Sequence, residues 1–220
     1  MMNQNLGNAS FQRISGKPSP SAGDAMERFQ TSMNFGFHAW QDGIGYDLDA
    51  LQEMNQQELA TIEDLLIKRW DEDWRDVEAL AALGTEAAVQ ALLQSLHSGG
   101  IEIKIYALLF LKMLNVVDCI DDTLEEILPR VTIGSGMGLA LYLAKLYPSE
   151  RIREKILWCS LNGNDNIRIH CAAMSLYLYG LTSETFDTNF KIVYEFKEPD
   201  REKRFASFSN LCRMIGKDNW

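Results

Sequence analysis

The sequence predicts an all-α protein built as a solenoid of stacked antiparallel helix pairs. Three observations carry this. From Asp47 almost to the end, apolar residues recur at helical spacing, as in Leu59, Ile62, Leu65 and Leu66 of "QQELATIEDLLIKRW". Segments such as "VEALAALGTEAAVQALLQSL", "ALLFLKMLNVVDCIDDTLEEIL", "GLALYLAKLYPSERIREKILWCSL" and "CAAMSLYLYGLTSETFDTNF" superimpose as helix, short turn, helix. Their first helices end at Leu83, Leu114, Leu146 and Tyr179, which lie 31, 32 and 33 residues apart. Small residues (Ala79, Ala81, Ala82; Gly138, Ala140, Ala144; Ala172, Ala173, Ser175) sit where neighbouring units must approach closely.

Taken in order, residues 1–33 are rich in Asn, Gln, Ser, Gly and Pro without an apolar period, and read as a flexible arm with a short helix around Ala25 to Gln30. Residues 34–50 bring Phe35, Phe37, Trp40 and Tyr46 among glycines, which suits an aromatic cap over one end of the helical stack. Asn55, with Glu58 three residues on, has the form of a capping box for the first long helix. Further helices are expected to begin near Asp73, Thr85, Gly100, Asp121, Met137, Ser149, Asn164, Ser183 and Arg201, each after a polar or glycine boundary. Residues 199–217 form the C-terminal capping helix, with Phe205, Phe208, Leu211 and Met214 as its buried stripe. The solenoid domain thus runs from 34 to 220.

The 220 residues are 46% hydrophobic, enough for a sizeable core, and carry a formal net charge of −10. That charge argues against nucleic acid, whose phosphates require clustered Lys and Arg, and favours a basic protein partner. Cys119, Cys159, Cys171 and Cys212 lie far apart with no Cys-x-x-Cys and no histidine at ligand spacing, so they read as free thiols of a reducing compartment. No stretch reaches the run of about 18 apolar residues that spans a bilayer, and the N-terminus lacks the form of a signal peptide. The expected compartment is the cytoplasm.

"DWRDVEALAALGTEAAVQALLQSL" resembles the short HEAT-like repeats of many bacterial proteins, in which an Ala-Leu-Gly turn joins the two helices of a unit. The resemblance covers roughly residues 73–181 and implies a right-handed HEAT-like solenoid. The flanking "HAWQDGIGYDLDAL" and "REKRFASFSNLCRMIG" resemble the ends of a bacterial HEAT-like family of immunity proteins from polymorphic toxin systems. That resemblance implies a non-enzymatic, cytoplasmic protein that neutralises one cognate toxin by occluding its active surface. A general HEAT-repeat scaffold or adaptor is the alternative, followed by a HEAT-like DNA glycosylase or lyase.

Candidate chemistry is sparse. Asp71 and Asp73 form an Asp-x-Asp of the kind that holds divalent cations, but no strand surrounds them, and Asp73 is better placed to cap the helix starting at Trp74. Trp70 and Trp74 then staple two helices across the turn. Gly134, Gly136 and Gly138 match no phosphate-loop spacing and read as a tight loop, which leaves Ser135 without a base. His38 near Asp42, His97 at a helix end and His170 beside Cys171 make no metal site. No catalytic residue, cofactor or metal is therefore expected. What stands out is acid at unit boundaries: Asp71, Glu72, Asp73 and Asp76 with Trp74, then Asp118, Asp121, Asp122, Glu125 and Glu126. If the units stack in register, these runs line one partner-binding ridge for a basic toxin domain.

Overall fold

The computed structural model of the chain describes residues 22–34, 44–118, 120–218 and 220. The chain divides into two compact units, Met1–Ala60 and Thr61–Trp220. The described residues contain helices and turns but no strand. Among them no helix is long and apolar enough to cross a membrane.

In the first unit, α1 (Ala22–Met33) packs on α2 (Leu48–Glu53). The short helix expected around Ala25 to Gln30 of the arm is present and longer, running from Ala22 to Met33. Ala25, Phe29 and Ser32, spaced four and three apart, turn one stripe inward and are buried. Arg28 ties the pair together, reaching the α2 cap Asp47 at 3.0 Å and Glu53 at 2.7 Å. Tyr46 meets the edge of Phe29 at 5.6 Å, so at least this part of the aromatic segment is packed. Phe35, Phe37, His38, Trp40 and Asp42 lie outside the described residues. The capping box opens α3 (Gln56–Lys68) with reciprocal bonds: the Glu58 N–H donates to Asn55 Oδ1 and the Asn55 N–H to the Glu58 carboxylate, each 3.0 Å. The boundary between the units falls within α3.

The second unit continues with α4 (Trp74–Leu83), α5 (Glu86–Ser98), α6 (Ile101–Met113), α7 (Asp121–Ile127), α8 (Met137–Leu146), α9 (Glu150–Asn162) and α10 (Asp165–Leu178). A 3-10 helix (Lys191–Lys197) and α11 (Arg201–Met214) close it. The even-numbered helices pack in succession, α4 on α6, α6 on α8 and α8 on α10, while α9 packs against α7, α10 and α11. The buried faces of α6 to α10 share a core that includes Ile105, Leu108, Leu124, Ile127, Leu143 and Ile156.

Local chemistry sets the boundaries. Asp73, Thr85, Ser149, Asn164 and Asp200 each accept backbone N–H bonds at the start of a helix. Left-handed residues follow α4, α6 and α10: Gly84 (φ 62°), Asn115 (φ 56°) and Gly180 (φ 81°). At Gly136 (φ 78°) a side chain would meet Ile105 Cδ1 at 2.8 Å, so the glycine lets α8 start against α6.

Three local expectations need correction. No α-helix begins at Ser183. Thr182 Oγ1 instead donates to Asp187 and accepts from the Glu184 N–H, and Asp187 accepts from the Asn189 N–H. These short side chains offer the backbone a competing set of bonds, and the segment stays a loop until the 3-10 helix. Trp74 does not staple back to Trp70; it stacks forward on Tyr106 of α6, 5.0 Å between centroids at 18°. In α11 the inward face is Arg204, Phe208, Leu211 and Cys212, whereas Phe205 and Met214 are exposed. Cys159, Cys171 and Cys212 are free and buried, and Cys119 lies outside the described residues.

Candidate functional site

The first acidic run divides between surface and interior. Asp71 and Glu72 are exposed in the turn before α4. Asp73 caps α4 by accepting from the Arg75 N–H at 2.9 Å, and its carboxylate is also held by the Arg75 guanidinium at 2.6 Å. Asp76 is 0% exposed and paired with Arg69 at 3.2 Å, so it has no surface to offer a partner. Trp74 is likewise buried. The Asp-x-Asp is thus a helix entrance: Asp73 is committed to the cap and to Arg75. Among the described residues, no three His, Cys, Asp or Glu side chains cluster as metal ligands would.

The second run is knitted to cations. Asp121 accepts from the Ser149 hydroxyl at 2.8 Å, while that same Ser149 caps α9. Arg151 bridges Asp122 and Glu125, at 2.7 Å to each. Glu126 meets Lys104 at 2.9 Å and Arg130 at 3.2 Å, and the Lys104 hydrogen bond holds its carboxyl below the usual range. Asp118 is exposed, and its backbone carbonyl accepts from Lys112 at 2.7 Å. Exposed pairs of this kind add little stability, yet three bases offset part of the field that the five acids would project.

An acidic face that the sequence reading did not single out lies between α4 and α6. Trp74 and Glu78 stand one turn apart on α4, and Glu102, Tyr106 and Phe110 stand on successive turns of α6. The Trp74–Tyr106 stack continues to Phe110, 6.5 Å from Tyr106. Burial pushes the Glu78 carboxyl up, and burial followed by the nearby Asp73 charge does the same to Glu102. Tyr106 feels all three acids: its phenol is raised by burial first, then by Glu102, Glu78 and Asp73. Half-buried, like-charged carboxylates therefore surround an aromatic stack. The i, i+4 pairs Trp74/Glu78 and Glu102/Tyr106 were readable in the sequence, but not the facing of α4 to α6 that brings them together.

The charge is also unevenly distributed along the second unit. Residues 61–110 carry nine Asp and Glu against four Lys and Arg, whereas residues 111–220 carry fifteen against fourteen. The uncompensated acid belongs to the α3–α6 segment.

Of the other candidates, Ser135 is bound into its own turn, accepting from the Thr132 N–H at 2.8 Å. His170 is half-buried against the Phe186 ring, and burial lowers its pKa. Comparison with protein-family models, curated proteins and solved structures found no match.

Proposed function

We propose that the chain is a non-enzymatic binding module, a HEAT-like solenoid that acts as an immunity protein by covering the active surface of a cognate, basic toxin domain. The repeat reading is supported by the successive packing of α4, α6, α8 and α10, whose sequence spacing is near-constant. The single observation that carries the partner class is the α4–α6 face. There Glu78 and Glu102, half-buried beside the Trp74–Tyr106 stack, are raised above the usual carboxyl range. A carboxylate in that position is destabilised until a cation reaches it, and the half-buried Tyr106 and Phe110 rings, rather than the buried Trp74, leave aromatic surface beside it for a Lys or Arg side chain. Asp71 and Glu72 extend the negative field outward and would speed encounter with a basic protein.

The test is co-expression with the products of the neighbouring reading frames, among which a basic toxin-like domain is expected. The expected result is restored growth together with a one-to-one complex that survives purification. Continued growth arrest with no complex would reject the immunity reading. Several weak partners of unrelated sequence would point to a scaffold instead.

A further inference from the structure

A cavity of about 260 Å³ opens between α8, α10 and the loop that replaces the expected helix at Ser183. It is smaller than the roughly 300–1,000 Å³ of pockets for drug-sized molecules, which limits an occupant to a fragment of one or two rings. Leu141, Met174 and Phe186 supply apolar wall, with the Phe186 ring 5.2 Å from that of His170 and inclined to it at 48°. A planar ring fits such walls because aromatic side chains reward offset or tilted stacking.

The polar lining is one-sided. Tyr142, Lys145, His170 and Thr185 bring hydroxyl, ammonium and imidazole groups, and none of these side chains hydrogen-bonds to another described residue. Among the described residues, no carboxylate or carboxamide lines the cavity. The Lys145 ammonium rests 5.3 Å from the centroid of the Tyr177 ring, so its charge is positioned without being neutralised by an acid. Burial lowers the His170 pKa and so favours the neutral imidazole, which has one N–H to donate. Donors and a cation call for an acceptor that is itself anionic.

Gly138 leaves the mouth of the cavity open. It lies in the first turn of α8, lines the cavity, and has no positive φ; a Cβ built there meets nothing within 4 Å. Gly136, two residues earlier, is explained by its left-handed backbone and by Ile105, but no contact in the fold asks for glycine at 138. Glycine weakens a helix relative to alanine. The open space is what its absent side chain preserves. Gly138 and Lys145 are seven residues apart, about 10 Å along the helix, which matches the length of an aromatic acid.

We propose that this cavity binds a small aromatic carboxylate, its ring against Phe186, Met174 and Leu141 and its carboxylate taken by the Lys145 ammonium. His170 and Thr185 then serve polar substituents on the ring. The site is separate from the α4–α6 face, and its failure leaves the partner reading untouched.

The full chain, isotopically labelled, is titrated with 4-hydroxybenzoate, with indole-3-carboxylate and with the neutral 4-hydroxybenzyl alcohol while amide shifts are followed. Saturable shifts are expected around residues 138–145 and 170–186 with both acids, at least tenfold weaker with the alcohol. Gly138→Leu should abolish them while the protein melts no earlier than wild type, and Lys145→Met should remove the preference for the acids. Absence of saturation by either acid, equal binding of the alcohol, or undiminished binding to Gly138→Leu would each overturn the proposal.

Discussion

Glu78 and Glu102 place stability and binding in opposition. Their pKa values are raised in the folded chain, so the native state binds protons more readily than the unfolded one. Their contribution is therefore most favourable below the unfolded carboxyl pKa and is lost as pH rises through the folded values. Glu78→Gln and Glu102→Gln should accordingly raise the melting temperature at pH 7, and the gain should vanish near pH 4; thermal melts at the two pH values check this. Asp73 has a structural role, as both a cap and the partner of Arg75. Asp73→Ala should cost at least about 1 kcal/mol through the cap alone. Asp73→Asn keeps a capping oxygen and loses only the charge, so the difference between their urea midpoints separates the two roles. The cap at Asp73 was legible because it depends on its immediate neighbours. The partners of Trp74 and the burial of Asp76 were not, since both depend on α6 and Arg69 arriving from elsewhere in the chain.

At the scale of elements, helix starts were legible wherever a Ser, Thr, Asp or Asn side chain could reach the first turn, as at Thr85, Ser149 and Asn164. The segment from Ser183 misled for a related reason. Its Thr and Asp side chains look like caps, but they bond to one another and to nearby N–H groups and so hold a loop. The α11 stripe was half legible: Phe208 and Leu211 are buried as expected, whereas Arg204 and Cys212 rather than Phe205 and Met214 complete the face that α9 and the 3-10 helix cover. The glycines before α8 look alike in sequence and differ in structure. Gly136→Ala should destabilise by roughly 1–2 kcal/mol from the left-handed backbone alone, and more from the clash with Ile105. Gly138→Ala should be neutral or stabilising by up to about 1 kcal/mol. Differential scanning calorimetry of the two variants reads the contrast directly.

Across the whole molecule, the excess of acid was plain in the composition, but its location was not. Both runs are partly answered by bases, the first by Arg69 and Arg75 and the second by Arg151, Lys104 and Arg130, and the difference lies in the wider α3–α6 segment with its nine acids against four bases. Lys104 and Arg151 lie 22 to 29 residues from their partners, pairings that only the tertiary packing establishes. Long-range attraction should therefore come from the α3–α6 segment, and its strength should fall as salt shortens the Debye length. Reversing Asp71 and Glu72 to Lys should slow association with a basic partner severalfold at low ionic strength. The same reversal at Asp122 and Glu125 should act mainly by releasing Arg151. Stopped-flow association rates across a salt series distinguish the two. The most direct test is calorimetric titration of the chain and of its Glu78→Gln/Glu102→Gln variant with the basic toxin domain that such co-expression is expected to recover. The account predicts a tight one-to-one complex for the wild type and at least tenfold weaker binding for the more stable variant. Equal affinity of the two proteins, or no binding by either, would contradict it.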